Sequence, residues 1–283
     1  SLMNRLATAL RAELFIARYS LGARLVVLAP LLLACAQLFI AALGDAGTAA
    51  QQTLIGAETV ATNGYGNWVD SLVTGFTALG LLITGYSAHS FAADRELGAL
   101  RHRLIRLSSR TQIVIVKLLL LHLLALASLL LLILGSWLLS TALWELGPVI
   151  EDGYELISEG EILDEIHLGL RLAVFPLPAA IAFGVLLSVV AQSAMQSLSL
   201  ALGLTLAFDV FKTSLGDMAG YIYARFQPSL IDASYLGDVA RLARGYSDVL
   251  IDEKLLVLNL WSPLPAFLLC LGLSLFVVRT KNL

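Results

Sequence analysis

Four histidines could ligate a metal ion or transfer a proton: His89, His102, His122 and His167. A helical zinc site of the hydrolase type places two histidines four residues apart on one face, in an HExxH or HxxxH pattern. No two of these histidines stand at that spacing, and the two cysteines lie singly in apolar runs. The spacing therefore predicts neither a metal site nor a disulfide framework, and no nucleophile with an adjacent base can be recognised.

Two ionisable residues fall inside apolar segments of the chain, namely His122 and Asp209. Within a helix that crosses lipid, such a residue marks a functional site by default, because its burial is costly. We therefore name both as candidates for a transport pathway. The structural alternative is that each lies close enough to the end of its segment for the side chain to reach the membrane interface.

Two proline pairs interrupt apolar segments, in the sequences "FPLPAA" (Pro176, Pro178) and "SPLPAF" (Pro263, Pro265). Proline cannot donate a backbone hydrogen bond, so each pair predicts a helix start or a kink. Broken helices are also found where membrane proteins line a pathway, so the four prolines join the pathway candidates.

The stretch "FAADRELGALRHRLIRLSSRTQIVIVK" concentrates charge in an otherwise apolar chain, with six lysines and arginines between Phe91 and Lys117. On a helix its leucines form one stripe, with charged residues on the flank and the opposite side. Such a helix could lie on anionic lipid or dock into a groove of a partner protein. The residues that would serve docking are Glu96, Leu97, Leu100, Arg103, Leu104, Arg106, Leu107 and Arg110.

The composition determines which elements must position these residues. Of 283 residues, 58% are hydrophobic and 14% charged, and the mean hydropathy is +0.85, which excludes an ordinary soluble domain. We predict an all-α integral membrane protein with six transmembrane helices in a single domain over residues 3–283. The predicted spans are 25–43, 73–92, 118–143, 172–192, 197–211 and 255–278.

Basic residues favour the cytoplasmic side of a membrane. With both termini inside, twelve of the eighteen lysines and arginines fall on that side, so we predict an N-in, C-in topology. Residues 144–170 then form an outer loop that holds eight carboxylates and no lysine or arginine. We expect helical pieces in "EDGYELI" and "EGEILDEIHL". The loop is either a solvated cap or a surface for a periplasmic partner.

Two further segments are expected at the membrane surfaces. The pattern of residues 3–24 predicts an interfacial helix on the inner membrane surface, with Leu6, Leu10, Leu14 and Ala17 along one face. Residues 212–254 combine five aromatic side chains with scattered charges, a composition typical of interfacial or re-entrant helices at the outer leaflet.

The pattern "DRELGALRHRLIRLSSRTQIVIVK" resembles the cytoplasmic segment of ABC-2 type permeases, the membrane subunits of one class of ABC transporter. The layout of six spans, an interfacial N-terminal helix and a long connection between spans five and six is similar as well. One departure is that Leu107 and Ser108 stand where many members of the family carry a proline. The resemblance implies that residues 93–117 are a coupling segment that docks on a separate ATPase subunit.

The resemblance further implies a homodimer in a bacterial inner membrane, with export as the direction of transport. ATP and magnesium would be bound by the partner ATPase, since this chain has no phosphate-binding GxxxxGK[ST] loop and so is not expected to be an enzyme by itself. No cofactor of its own and no nucleic-acid partner are expected. The alternatives are a membrane-anchored scaffold that docks a partner without transport and, less favoured, an intramembrane enzyme.

Overall fold

The computed structural model describes residues 2–57, 63–99, 109–231, 234–246 and 253–281. These residues form ten α-helices, one 3-10 helix and one β-hairpin. The helices are α1 (Leu2–Tyr19), α2 (Leu21–Ile55), α3 (Gly64–Glu96), α4 (Arg110–Leu143), α5 (Glu159–Val174), α6 (Leu177–Val190), α7 (Ala194–Phe211), α8 (Tyr235–Leu242), α9 (Glu253–Trp261) and α10 (Pro263–Thr280). The 3-10 helix is Lys212–Tyr221, and the strands are β1 (Val149–Glu151) and β2 (Tyr154–Ile157).

Six helical segments among the described residues are long and apolar enough to cross a membrane, as predicted. Four of the spans begin with α2, α3, α4 and α7, and the other two are the consecutive pairs α5–α6 and α9–α10. Large apolar side chains such as Leu32, Leu130 and Leu269 are more than half exposed on these helices, as expected where a helix faces lipid. The chain is therefore a multi-pass, almost entirely helical membrane protein.

Helix α3 lies at the centre and packs against α2, α4, α6, α7 and α8. It approaches α6 closely at Gly184, which has no side chain to hold the two backbones apart. A Cβ atom at Gly184 would lie 2.7 Å from Ser87 Cβ and 2.8 Å from the Thr84 carbonyl oxygen. Small residues therefore permit this approach.

The helices are longer than the predicted spans, because polar turns continue several of them beyond the apolar stretch. Helix α2 has 35 residues, which corresponds to about 52 Å and exceeds a hydrocarbon core of about 30 Å. Helix α4 begins at Arg110, eight residues before the predicted span. The hydroxyl of Ser109 accepts from Gln112 N and the Gln112 side chain accepts from Ser109 N, forming a capping box at the start of α4.

The N-terminal segment differs from its prediction in two ways. It is not one helix over residues 3–24, because α1 ends at Tyr19 and Ser20 caps the start of α2. The face that α1 packs against α4 includes buried Glu13 and Ala17, whereas Leu14 is 39% exposed. The buried carboxylate of Glu13 therefore lies on the packed face, where leucines were expected, because it forms an ion pair with Lys117.

The prediction of a helix in "EDGYELI" is wrong. These residues form the β-hairpin of β1 and β2, in which Glu151 pairs with Tyr154 across a two-residue turn. Asp152 and Gly153 occupy the turn with φ values of 50° and 81°, a combination that Asp-Gly adopts in type I′ turns. The second predicted piece is confirmed, because "EGEILDEIHL" begins α5 behind a Ser158 capping box.

Candidate functional site

A buried ion-pair cluster joins three helices at one end of the bundle. We call this the inner end, following the predicted orientation, and the opposite end the outer end. Lys117 of α4 lies 3.6 Å from the Glu13 carboxylate of α1 and also forms an ion pair with Asp94 of α3. The exposed fractions of the Lys117 and Glu13 side chains are 6% and 9%. Because buried charges are retained only when paired, this cluster fixes α1 to the ends of α3 and α4.

The two residues after Asp94 hold the turn between α6 and α7. Arg95 donates to the carbonyl groups of Val189 and Ala191, which end α6. Glu96 accepts from the backbone N–H of Ala194 at 3.0 Å, at the start of α7. A cation therefore meets the partial negative charge of one helix end, and an anion meets the partial positive charge of the next helix start. Each charge stabilises the terminus that it contacts.

The C-terminal end of α10 closes the same network. The Lys281 ammonium donates to the carbonyl groups of Val189 and Val190, both at 3.0 Å, and Arg110 donates to the Lys281 carbonyl at 2.6 Å. Partial burial, and next the Arg95 guanidinium, lower the pKa of Lys281. Helices α1, α3, α4, α6, α7 and α10 thus meet in one polar network at the inner end.

Some of the predicted docking residues contact the inner-end network, and the others belong to the segment between α3 and α4. Glu96 and Arg110 contact the network, and Leu97 is 82% exposed just before Gly98, whose φ of 71° ends the helix. Five others lie outside the described residues: Leu100, Arg103, Leu104, Arg106 and Leu107. Both ends of the predicted coupling segment are therefore fixed in the inner-end network.

Sequence reasoning did not identify Glu13, Asp94, Arg95 and Lys281 as a unit. A signal was present in the acidic-basic-acidic run "DRE" directly after an apolar span, because three charges at a helix end need partners. The partners of Arg95 and Glu96 lie nearly a hundred residues later, in the turn between α6 and α7, and follow only from the tertiary structure.

Asp209 lies in a different place from His122. It is buried with Lys212, whose ammonium is 3.1 Å from the Asp209 carboxylate and 3.4 Å from the carbonyl of Ala224. Asp209 borders a cavity of about 40 Å³ between α3, α6, α7 and the segment after the 3-10 helix. Polar side chains line much of it: Thr77, Thr84, Thr205, Asp209, Tyr223, Gln227 and Ser229. A polar space of this size holds a few water molecules.

The four prolines stand at two helix breaks. Pro176 lies between α5 and α6, and Pro178 is in the first turn of α6. Pro263 and Pro265 lie in the first turn of α10, directly after α9. Pro178 and Pro263 line an apolar groove together with His122, so the structure brings three of the six pathway candidates to one place. Asp209 does not line that groove.

The acidic outer segment is packed onto the bundle through two tyrosines. Tyr235 of α8 donates to the Glu165 carboxylate, and Tyr65 of α3 donates to that of Glu159. Burial, and next Glu165, raise the pKa of the Tyr235 hydroxyl, which keeps it a donor. Arg244, just after α8, also donates to Asp70 of α3 at 2.6 Å. These contacts assign at least two of the eight carboxylates to fixing α5 to α3 and α8.

Glu165 and Asp164 allow a matched test of this assignment. Glu165→Ala removes the acceptor of a hydroxyl whose residue is only 7% exposed, so we expect a loss of about 1 to 2 kcal/mol in stability. Asp164→Ala, one position earlier on the exposed side of α5, is expected to change stability by less than about 0.5 kcal/mol. Thermal unfolding of both purified variants in detergent measures the difference. Equal midpoints would contradict the structural role of Glu165.

Among the residues that the structure describes, no group of three His, Cys, Asp or Glu side chains is placed to hold a metal ion. Comparison with family models and with curated proteins gives no match for this chain.

Proposed function

We propose that this chain is the membrane-spanning subunit of an ABC-2 type transporter, driven by a separate ATPase that docks on the coupling segment, residues 93–117. The observation that carries the proposal is the inner-end network. It holds both ends of that segment, at Glu96 and Arg110, and also the turn after α6 and the end of α10. A displacement of the segment would therefore be transmitted to most of the spans at once.

In this proposal the coupling segment lies in the cytoplasm and inserts its leucine stripe into a groove of the ATPase. The arginines of the segment then face acidic residues at the rim of that groove. The proposed partners are the ATPase, a second copy of the permease and the lipid bilayer. Export across a bacterial inner membrane is the proposed direction and location.

A substitution in the leucine stripe tests the docking. Leu104→Asp places a carboxylate in an apolar groove, and we expect the complex with the ATPase to be lost while the permease still inserts into the membrane. His102→Asp is the matched control, because it adds the same charge on the opposite side of the predicted helix. We expect it to retain the complex.

The measurement is affinity purification of the tagged chain from its native membrane, identification of a co-purifying P-loop ATPase, and the ATP hydrolysis rate of the complex. Retention of that ATPase by Leu104→Asp at the parental rate would overturn docking and leave the lipid surface as the role of the segment. A neighbouring reading frame that encodes a P-loop ATPase would separate this proposal from a scaffold without transport.

A further inference from the structure

An apolar groove of about 550 Å³ lies between α4 and the two broken spans, α5–α6 and α9–α10. Thirteen of its fourteen lining residues are apolar, and the exception is His122. Its volume lies within the range of ligand sites, and its lining suits hydrocarbon rather than a water-soluble solute. The groove is distinct from the polar cavity beside Asp209.

The groove opens toward the bilayer. Its inner wall is fully packed, since Ala125 and Ile181 are 4% and 0% exposed. At its rim, Leu126, Phe175 and Leu264 are between 45% and 52% exposed, all on segments able to cross the membrane. The molecules that can enter from that side are those dissolved in the bilayer.

His122 gives this apolar groove one polar side chain. Its Nδ1 atom lies 2.6 Å from the carbonyl oxygen of Leu118, and because a carbonyl only accepts, the neutral ring carries its hydrogen on Nδ1. The other ring nitrogen, Nε2, is then an acceptor. The ring packs edge-on against Phe267, with 6.1 Å between centroids, which holds its plane.

The helix breaks alter the backbone of the same groove. Pro178 and Pro265 have no N–H, so they cannot donate to the carbonyl groups of Val174 and Trp261, four residues earlier. Val174 and Trp261 both line the groove. The regular i to i−4 helical hydrogen bond is therefore missing at one position in each break.

We propose that this groove binds the hydrocarbon chain of an amphiphile that carries a hydrogen-bond donor, a hydroxyl, amide or protonated carboxyl group, and that the donor bonds to His122. The apolar wall holds the chain, and the Nε2 acceptor of His122 selects against a plain hydrocarbon. The inference rests on the groove alone and does not depend on the proposed transport function.

The test uses the purified full chain in lipid vesicles with two photoreactive probes of equal length, a long-chain alcohol and the corresponding hydrocarbon. Cross-linked peptides are mapped by mass spectrometry. We expect the alcohol to label groove peptides several-fold more than it labels α2 peptides around the exposed Leu32. We also expect the alcohol to label the groove peptides several-fold more than the hydrocarbon probe does. Equal labelling of the groove and of α2, or equal labelling by the two probes, overturns the proposal.

Three variants separate the parts of the site. Ala125→Phe fills the groove and should reduce labelling by both probes to the level of α2. Leu130→Phe, on an exposed position of the same helix outside the groove, should leave it unchanged. His122→Phe keeps a ring beside Phe267 and should reduce alcohol labelling to that of the hydrocarbon. Because His122→Phe keeps an aromatic ring at this position, it tests the proposal even if Ala125→Phe lowers the yield of folded protein. Unchanged labelling of His122→Phe by the alcohol overturns the proposal.

Discussion

Replacing Lys117 by methionine is expected to destabilise the protein by about 3 to 5 kcal/mol, the range measured when one partner of a buried ion pair is removed. The ammonium of Lys117 is shared by Glu13 and Asp94. Methionine fills a similar volume but leaves both carboxylates without this cation in a site with little water. The midpoint of thermal unfolding in detergent, and the yield of monodisperse protein, measure the effect.

A combined variant distinguishes loss of charge pairing from loss of packing. Glu13→Gln and Asp94→Asn added to Lys117→Met remove the two carboxylate charges that Lys117 pairs with, so we expect stability to recover in part, and the effects to be strongly non-additive. Arg11→Ala, at an exposed position of α1, is the control and should have almost no effect. Additive losses in the triple variant would show that Lys117 contributes mainly by packing.

The spans could be predicted from the sequence because lipid requires a long apolar helix. Each residue contributes to that requirement by its own apolar character, whatever its neighbours in space are. The ion-pair cluster could not, because it depends on which faces meet. Glu13 stood among leucines and arginines of an amphipathic helix, and its partner Lys117 stood at the start of a span more than a hundred residues later. Nothing local relates the two.

The β-hairpin illustrates a different kind of failure. Its turn residues, Asp152 and Gly153, are the dipeptide that favours a two-residue hairpin, so a local signal did exist. The prediction of a helix followed instead from apolar residues spaced among acids, a pattern that a seven-residue segment satisfies by chance. For a segment this short, turn chemistry is the stronger predictor.

The spacing of the candidate pathway residues in the sequence could not predict which of them lie together in the fold. The two proline pairs predicted two helix breaks correctly, but whether the breaks adjoin depends on how spans four and six pack. The structure places Pro178 and Pro263 in one groove with His122, and separates them from Asp209. The partner of Asp209 could have been predicted from the sequence, because Lys212 is three residues later and such pairs can interact on a helix.

Gly184→Ala is expected to cost about 3 kcal/mol, at the upper end of the range for added core volume, although alanine is the better helix former. The new methyl group would lie 2.7 Å from Ser87 Cβ, 2.8 Å from the Thr84 carbonyl oxygen and 3.1 Å from Ala88 N. These atoms belong to the backbone or are fixed to it, so no side-chain rotation can relieve the contact. Helices α3 and α6 must therefore separate, and α3 is also the helix on which α2, α4 and α7 pack.

Two other helical glycines provide the controls. Gly203 of α7 and Gly272 of α10 have no atom within 4 Å of an added Cβ, so alanine there should be neutral or should stabilise by up to about 1 kcal/mol. The three single variants differ in one methyl group each, and thermal unfolding in detergent compares them directly. A lower midpoint for Gly184→Ala alone supports the close packing of α3 on α6. If Gly184→Ala unfolds at the same temperature as the two controls, the helices are not in contact at this position, and the central place of α3 in the bundle is wrong.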